Sequence, residues 1–291
     1  MDYIERSMTL DLSLIGKESL PSLFSYTWKD TVLYALGIGA KKDELDTLYE
    51  GRGPRVIPSF AVVPMFGPMF ELVAQTGGDL AMVVHGAERV RLRGPIPAAA
   101  TLATTAKIRG IYDYRKFAIV VVDTETKTQE NHILFDTTSQ IIFRGEGGFG
   151  GTLPPKEGKE DKVAEIPKGR PADFRIEETT SPEQALLYRL SGDLNPLHAD
   201  PDFAARVGFA RGPILHGLCT YGYMVRHVAK GACQGDATKI SGFEGHFKKP
   251  VWPGDTLVTE GWKVAPGKIA LQVSVKERSE VVLSGAWATT S

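Results

Sequence analysis

The stretch KKPVWPGDTL, at positions 248–257, has a counterpart earlier in the same chain, RGPIPAAATL at 93–102. The two segments are 155 positions apart. A second pair of segments, YALG at 34–37 and YRLSG at 188–192, has nearly the same separation, 154 positions. Because both matches share one separation, close to half of the 291 residues, they predict two copies of one folding unit.

Residues 144–174 lie between the two copies, with the sequence RGEGGFGGTLPPKEGKEDKVAEIPKGRPADF. They are rich in glycine, proline and charge and show no apolar periodicity, which is typical of a linker. We therefore predict an N-terminal unit at 1–150, a linker at 151–171 and a C-terminal unit at 172–291.

Each copy has the same predicted order of elements, which is a short helix, a longer apolar helix and then several strands. The longer helices are predicted at 58–75 and 213–230. The strand runs are rich in β-branched residues and cover 106–126, 132–144, 256–277 and 281–290. An apolar helix followed by antiparallel strands predicts an α+β fold in which a sheet wraps around one central helix.

The composition is that of a soluble globular protein, with 42% hydrophobic and 24% charged residues. The 34 basic residues nearly balance the 35 acidic ones, so neither nucleic acid nor a membrane is an expected partner. The two cysteines, Cys219 and Cys233, predict neither a disulfide framework nor a zinc site. The N-terminal residues do not resemble a secretory signal, and no apolar segment approaches the ~20 residues that span a bilayer. We therefore expect an intracellular soluble protein, in the cytoplasm of a bacterium or the peroxisome of a eukaryote, although no Ser-Lys-Leu tripeptide ends the sequence.

The segment YRLSGDLNPLHADPDF, at 188–203, concentrates titratable residues in a turn stiffened by proline. Asn195 precedes Pro196, which disfavours helical geometry at Asn195 and fixes the backbone angle of the next residue. Asp193 and His198 are therefore held in a stiff loop. A carboxylate and an imidazole in such a loop can share proton transfer to and from a water molecule.

A helix start follows this loop in the segment GPILHGLCTYG. Gly217 leaves its backbone N–H open to close approach, and a helix N-terminus favours developing negative charge. A loop acid, a loop base and a helix-end amide together predict a reaction next to a carbonyl group.

Several of these features have simpler interpretations. The loop can be an ordinary turn closed by Asp and Asn hydrogen bonds. A metal at His198 and Asp200 lacks a third ligand at a recognised spacing, and His216 fits a structural role at the helix start. The Met and Phe residues of VVPMFGPMF are typical of a core but would also build a tunnel for a lipid tail.

Residues 188–222 resemble the signature of the type-2, (R)-specific enoyl-CoA hydratases of the MaoC-like family. The segments TVLYALGIGA, LYEGRGPRVIPSF, VVHGAERVRL, GEGGFGG and HFKKPVWPGDTL extend the resemblance over nearly the whole chain, to the hydratase domain of the peroxisomal multifunctional enzyme. The resemblance implies a double hot-dog fold, with two antiparallel sheets each wrapped around a central helix. One departure is an additional glycine before Pro213.

The resemblance also implies a role for each matching residue. Asp193 and His198 would handle water and proton, Asn195 would position the water, and Gly217 would donate its N–H to the thioester oxygen. Glu50 matches an acidic residue that the family needs, although a salt bridge between modules is an equal alternative. The residues that match contacts to the CoA portion are His85, Gly86, Phe247 and Lys249, with Lys116 or Arg115 in a looser match.

The expected reaction is reversible hydration of trans-2-enoyl-CoA to (3R)-3-hydroxyacyl-CoA in fatty-acid β-oxidation. No metal and no cofactor are expected, because CoA is part of the substrate, and the protein would act as a monomer or homodimer. The first module has GIGAKKDE in place of the catalytic loop, which predicts a copy without catalysis that leaves room for a bulky acyl chain. The alternatives are a hot-dog acyl-CoA thioesterase, a non-catalytic acyl-CoA-binding module and a dehydratase that acts on carrier-protein substrates.

Overall fold

Ten strands form one antiparallel sheet in the computed structural model, which describes residues 10–155 and 164–291. The first half contains β1 (Ser22–Tyr26), α1 (Trp28–Gly37), α2 (Leu45–Leu48), α3 (Val62–Gln75), β2 (Val83–Leu92), β3 (Ala100–Asp113), β4 (Phe117–Thr128) and β5 (Ile133–Arg144). The second half contains β6 (Phe174–Thr179), α4 (Gln184–Tyr188), α5 (Pro201–Arg206), α6 (Gly217–Ala232), β7 (Ile240–Phe247), β8 (Thr256–Ala265), β9 (Lys268–Val275) and β10 (Glu280–Thr290).

The strand order repeats itself in mirror fashion about the middle of the sheet. It runs β1-β3-β4-β5-β2 through the first half and continues β7-β10-β9-β8-β6 through the second. Each strand of the first half therefore has an equivalent in the second, and β2 and β7 meet at the centre. This symmetry confirms the predicted double hot-dog fold. It also shows that the two predicted sheets are continuous, because β2 and β7 pair edge to edge.

The long helices α3 and α6 pack against the sheet, one in each half. Helix α3 packs against β3, β4 and β5, and α6 packs against β6, β7, β8 and β10. Along β5 the burial alternates from residue to residue, so one face of the strand meets the helix layer. Every residue of α6 from Leu218 to Ala229 is buried, which is expected for a helix enclosed by a sheet.

Both long helices begin later than the sequence predicted. Residues 58–61 form a 3-10 turn before α3, and residues 213–216 have no regular secondary structure before α6. In this second segment the N–H of Leu215 donates to the carbonyl oxygen of Val251 at 2.7 Å, outside the helix. The repeated KKPVWPGDTL stretch therefore holds the segment directly before α6.

The central strands β2 and β7 were not predicted. Their pairing is centred on Arg89 and Glu244, which lie opposite each other and are 155 positions apart. This separation equals that of the two repeated segments, so the two residues occupy equivalent places in the two halves. The Nε of Arg89 donates to Oε2 of Glu244 at 2.6 Å, and both side chains are largely buried. Two identical halves would instead bring two like charges together at this point.

A second buried ion cluster joins the halves at α6. The guanidinium of Arg226 is buried and donates to carboxylate oxygens of Glu44 and Glu178 and to the carbonyl oxygen of Ile38. Glu44 and Ile38 belong to the first half, in the segment that replaces the catalytic loop. The ion pair between Arg226 and Glu44 thus holds that segment against α6.

The described strands of the two halves fall within 22–144 and 174–290. The boundaries 1–150, 151–171 and 172–291 remain our proposal for the domain division. Residues 1–9 of the first unit and 156–163 of the linker lie outside the described residues. Within the described ranges, none of the helices has both the length and the hydropathy of a bilayer-spanning segment.

The Arg89–Glu244 pair predicts energetic coupling between the halves. We expect Arg89→Gln and Glu244→Gln each to lower the free energy of unfolding by about 3–5 kcal/mol, because each breaks a largely buried ion pair by removing one of its two charges. The double variant should lose less than the sum of the two single losses. Urea unfolding of the four proteins measures this coupling.

The exposed pair Glu18–Lys107 provides the matched control, because the same substitutions to Gln should there be nearly neutral and additive. Additive losses at Arg89 and Glu244 would contradict the coupling.

Candidate active site

The loop between α4 and α5 carries the predicted acid and base. Gly192 ends the preceding helical turn at a φ of +126°, a conformation that a side chain would strain. The Oδ1 of Asp193 then accepts from the N–H of Asn195 at 3.1 Å, and the Oδ1 of Asn195 accepts from the N–H of Leu197 at 3.0 Å. The loop is therefore held by its own polar side chains, and the amide NH2 of Asn195 stays available as a donor.

His198 is fixed by one hydrogen bond at the end of this loop. Its Nδ1 lies 2.8 Å from the carbonyl oxygen of Ile214, which can only accept. The Nδ1 therefore carries the proton, and Nε2 keeps a lone pair when the ring is neutral. Burial lowers the pKa of His198, and the negative charge of Asp193 partly opposes this effect. The imidazole is thus set up as a neutral base.

Gly217 is the first residue of α6, and its N–H has no acceptor among the residues that the structure describes. A Cβ added at this position would lie 3.0 Å from two carbons of the Phe247 ring. The packing of Phe247 therefore favours glycine at the start of α6. The exposed N–H at the positive end of the helix forms a site for a developing oxyanion.

These groups line one cavity of about 820 Å³ between the two halves of the chain. The second half contributes the polar groups Asp193, Asn195, His198 and the Gly217 backbone. The first half contributes an apolar wall, whose members on α3 are Phe66, Met69, Phe70 and Val73. A cavity with a few polar groups in a largely apolar lining suits a substrate with a polar head and an aliphatic tail.

His85 enters the same cavity from the first half. A register shift in β2 at Gly86 interrupts the alternation of the strand beside His85. The Nε2 of His85 lies 2.9 Å from Oε2 of Glu88, which also accepts from the hydroxyl of Ser139 at 2.7 Å. Burial raises the pKa of the Glu88 carboxyl, and the bond to His85 opposes this rise. The His85 ring also meets Phe247 edge to face, with 5.3 Å between centroids.

Asp193, His198 and His216 form a cluster whose potential metal-ligand atoms lie within 4.8 Å of one another. The two imidazoles are stacked, with 3.7 Å between centroids and 25° between planes. A metal lies in the plane of each ligating imidazole at about 2.0–2.1 Å from nitrogen, a condition that two stacked rings do not meet together. The stacking therefore prevents the two imidazoles from serving together as in-plane ligands of one metal.

The structure brings most of the predicted site residues to this cavity. Those that line it are Asp193, Asn195, His198, Gly217, His85, Phe247 and Lys249. Gly86 is not among the lining residues and lies at the register shift of β2, directly after His85.

Two further predicted residues lie away from the cavity lining. Glu50 is exposed in the 3-10 turn Glu50–Arg52, which follows α2. Lys116 is exposed in the turn between β3 and β4, where its N–H donates to the carbonyl oxygen of Tyr114. Neither side chain joins the cluster of catalytic candidates, so their assigned roles stay predictions.

The sequence reasoning missed Glu88, which is fully buried and bonded to His85. It gave His216 only a structural role at the helix start, whereas the structure buries this ring against His198. The position of His216, directly before the candidate Gly217, was the available signal for a role in the site. The segment VVPMFGPMF could have been core or the wall of a tunnel, and the structure shows both. Met65 belongs to the core, while Phe66 and Phe70 line the cavity.

Comparison with known families and proteins agrees with this geometry. Residues 163–285 match the MaoC like domain, and residues 24–145 match the MFE-2 hydratase 2 N-terminal domain. The chain is 36% identical over 282 residues to the peroxisomal enoyl-CoA hydratase 2 of Arabidopsis thaliana, which covers 90% of this chain and 89% of that protein. It is 38% identical over 275 residues to the 3-hydroxyacyl-thioester dehydratase Y of Mycobacterium tuberculosis, with 92% of each chain covered.

A solved structure of a MaoC-like dehydratase from Phytophthora Capsici is similar over almost its full length. The TM-score is 0.85 and the sequence identity 31%, with 97% of this chain and 98% of that chain covered. The whole double unit is therefore shared, not the catalytic half alone.

The environment of His198 predicts its titration. We expect its imidazole to titrate below the ordinary value of about 6.5, because burial disfavours the charged ring. Asp193→Asn should lower the pKa further, since it removes the negative charge that opposes the effect of burial. NMR titration of the ring resonances, assigned with a His198→Gln variant, measures both values. An apparent pKa at or above 6.5 would contradict the neutral-base assignment.

Proposed function

The chain belongs to the MaoC-like family, in the branch that contains the enoyl-CoA hydratase 2 enzymes, and from this premise we propose that it hydrates trans-2-enoyl-CoA reversibly to (3R)-3-hydroxyacyl-CoA. It is a hydro-lyase, and its place is in fatty-acid β-oxidation. The observation that carries the proposal is that Asp193 and His198, which lie close together, and Gly217 at the start of α6 all line one largely apolar cavity.

The proposed reaction starts at water bound beside the loop. Asp193 accepts one hydrogen bond from the water, and the amide NH2 of Asn195 donates one to it. The Nε2 of His198 then takes a proton from the water as its oxygen bonds to C3 of the substrate. The electron pair of the C2–C3 double bond moves towards the thioester carbonyl, which becomes an enolate oxyanion on the Gly217 N–H.

The second step returns the proton. The His198 imidazolium donates it to C2, so the enolate collapses to the 3-hydroxyacyl thioester and the base is regenerated. One water has been added and no electron has left the substrate. Because one imidazole acts at both carbons from one side, the addition is syn. We propose that no metal or cofactor takes part beyond the CoA of the substrate.

Binding of the CoA portion is proposed for His85, Phe247 and Lys249. The ammonium group of Lys249 suits a phosphate group, and Lys248 lines the same cavity. We propose that a single chain forms a complete site, since both halves that line the cavity belong to one polypeptide. The oligomeric state is then a monomer or a homodimer of complete sites. Several relatives carry peroxisomal names, and we propose that compartment if the source cell is eukaryotic.

The proposal predicts loss of hydration without loss of the fold. We expect Asp193→Asn and His198→Gln each to lower kcat for crotonyl-CoA by about 10²–10⁴-fold, because each removes a participant in proton transfer. Loss of the conjugated double bond reports turnover, and chiral analysis should give the (3R) product. Asp200→Asn is the matched control, because Asp200 caps α5 outside the cavity and Asn caps a helix equally well.

The same assay separates the thioesterase alternative. A thioesterase would release free CoA thiol, whereas hydration leaves the thioester intact. Thiol release in step with substrate loss would overturn the hydratase assignment, as would full activity in either catalytic variant.

The apolar wall predicts the effect of acyl length. We expect kcat/KM to rise from crotonyl-CoA to longer enoyl-CoA substrates, since each buried methylene contributes about 0.8 kcal/mol until the cavity is full. Steady-state kinetics over a series of even chain lengths measures this. A preference for crotonyl-CoA over every longer substrate would contradict a binding role for the α3 wall.

A further inference from the structure

His216 is a buried imidazole that the proposed reaction does not use. Its side chain is enclosed at 1% exposure, and its ring stacks on His198. The Nε2 of His216 lies 3.1 Å from the backbone carbonyl oxygen of Asp193. Its Nδ1 is buried and has no hydrogen-bond partner among the residues that the structure describes. A buried polar atom without a partner is costly, so its retention calls for an explanation.

The hydrogen bond to Asp193 defines the state of this ring. Because the carbonyl oxygen only accepts, Nε2 carries the proton and Nδ1 keeps its lone pair. Burial lowers the pKa of His216 to about 2, and the neighbouring His198 contributes in the same direction. The positive end of α6 also disfavours protonation of His216. His216 is therefore a neutral ring, and it stays neutral when the neighbouring His198 takes up a proton.

The side chain of His216 does not cap the helix that it precedes. His216 is the N-cap residue of α6, but its side chain makes no capping hydrogen bond to the helix. The side chain contacts the catalytic loop instead, through the Asp193 carbonyl and the His198 ring.

The first half of the chain gives an internal comparison. Ala61 is the N-cap residue of α3, and it is 155 positions before His216, the separation that relates the two repeated segments. A buried helix start in this fold is thus compatible with alanine. The imidazole is present only in the half that also has the acid and the base.

We propose that His216 is a positioning residue for the hydration reaction, a buried neutral imidazole that holds the Asp193 main chain against the start of α6 and sets the ring plane of His198. The inference rests on the hydratase function proposed above. His216 acts through Asp193 and His198, while its own backbone leads directly into the Gly217 N–H. A single side chain thus connects the acid, the base and the oxyanion site, whose relative placement within about 1 Å can change rates by 10².

The test separates the two contacts with three variants in the full chain. His216→Phe keeps a ring to stack on His198 but removes the donor to Asp193. His216→Gln keeps an N–H donor but removes the stacking ring. His216→Ala reproduces the residue of the first half. We expect kcat for crotonyl-CoA to fall about 10–100-fold in the first two variants and further in His216→Ala, with KM within about threefold of the unmodified value.

The matched control is His227→Gln. His227 is a second fully buried histidine of α6, bonded to Thr259 and Glu178 and outside the cavity lining. We expect this variant to lose thermal stability and to keep kcat. A comparable loss of stability in the His216 variants then cannot by itself account for their loss of turnover.

A readout that needs no turnover completes the design. In His216→Ala, water gains access to the His198 ring, so NMR titration should show the pKa of His198 moving up towards 6.5. An active protein whose His216 variants keep kcat and the His198 titration, and lose only stability, would overturn the positioning role alone. Failure of the unmodified protein to hydrate any enoyl-CoA would overturn the proposed function, and this role with it.

Discussion

The pairing of β2 with β7 is the constraint on which the rest of the molecule depends. Each half is a five-stranded sheet that would otherwise end in an open strand edge, with unpaired backbone groups. Joining the two edges satisfies those groups and fixes the halves in one arrangement. The Arg89–Glu244 bond lies at the centre of the joint, where equivalent positions of the repeat meet. Opposite charges at that point favour pairing of the first half with the second over pairing of two identical halves. The cavity lies between the halves because they are joined in this way.

The two halves have diverged at equivalent positions in ways that divide the work. Where α6 begins with Gly217 after His216, α3 begins with Val62 after Ala61. The first half thus has neither the open N–H nor the buried imidazole. Its loop equivalent carries Glu44, which is bonded to Arg226 rather than directed to a substrate. What the first half retains is the apolar helix α3, which walls the cavity. In the proposed reaction, the second half therefore supplies the reacting groups and the first half supplies an apolar binding surface.

Much of this fold could be predicted from the sequence, and the parts that could not be predicted have physical causes. The repeat, the long apolar helices and the strands from β3 to β5 were visible because local composition and periodicity encode them. Strands β2 and β7 were not, since glycines at Gly86, Gly242 and Gly245 break their alternation and pairing with another strand defines them. The stiff conformation of the loop at 193–198 could be predicted because proline and the hydrogen bonds of Asp and Asn side chains act on neighbouring residues. The placement of Glu50 outside the cavity lining, and the support of His198 from His216, depend on tertiary packing.

Burial in this cavity affects both substrate binding and the pKa of His198, and the two effects have the same cause. An aliphatic chain binds because water is excluded from the wall formed by α3, and the same exclusion of water lowers the pKa of His198 and leaves it a base near neutral pH. Asp193 limits that effect so that the imidazole can still accept a proton. A second half on its own would keep the loop but lose the wall, and its histidine would face water. The proposed catalytic residues are therefore all in one copy, yet the pKa of His198 depends on both copies.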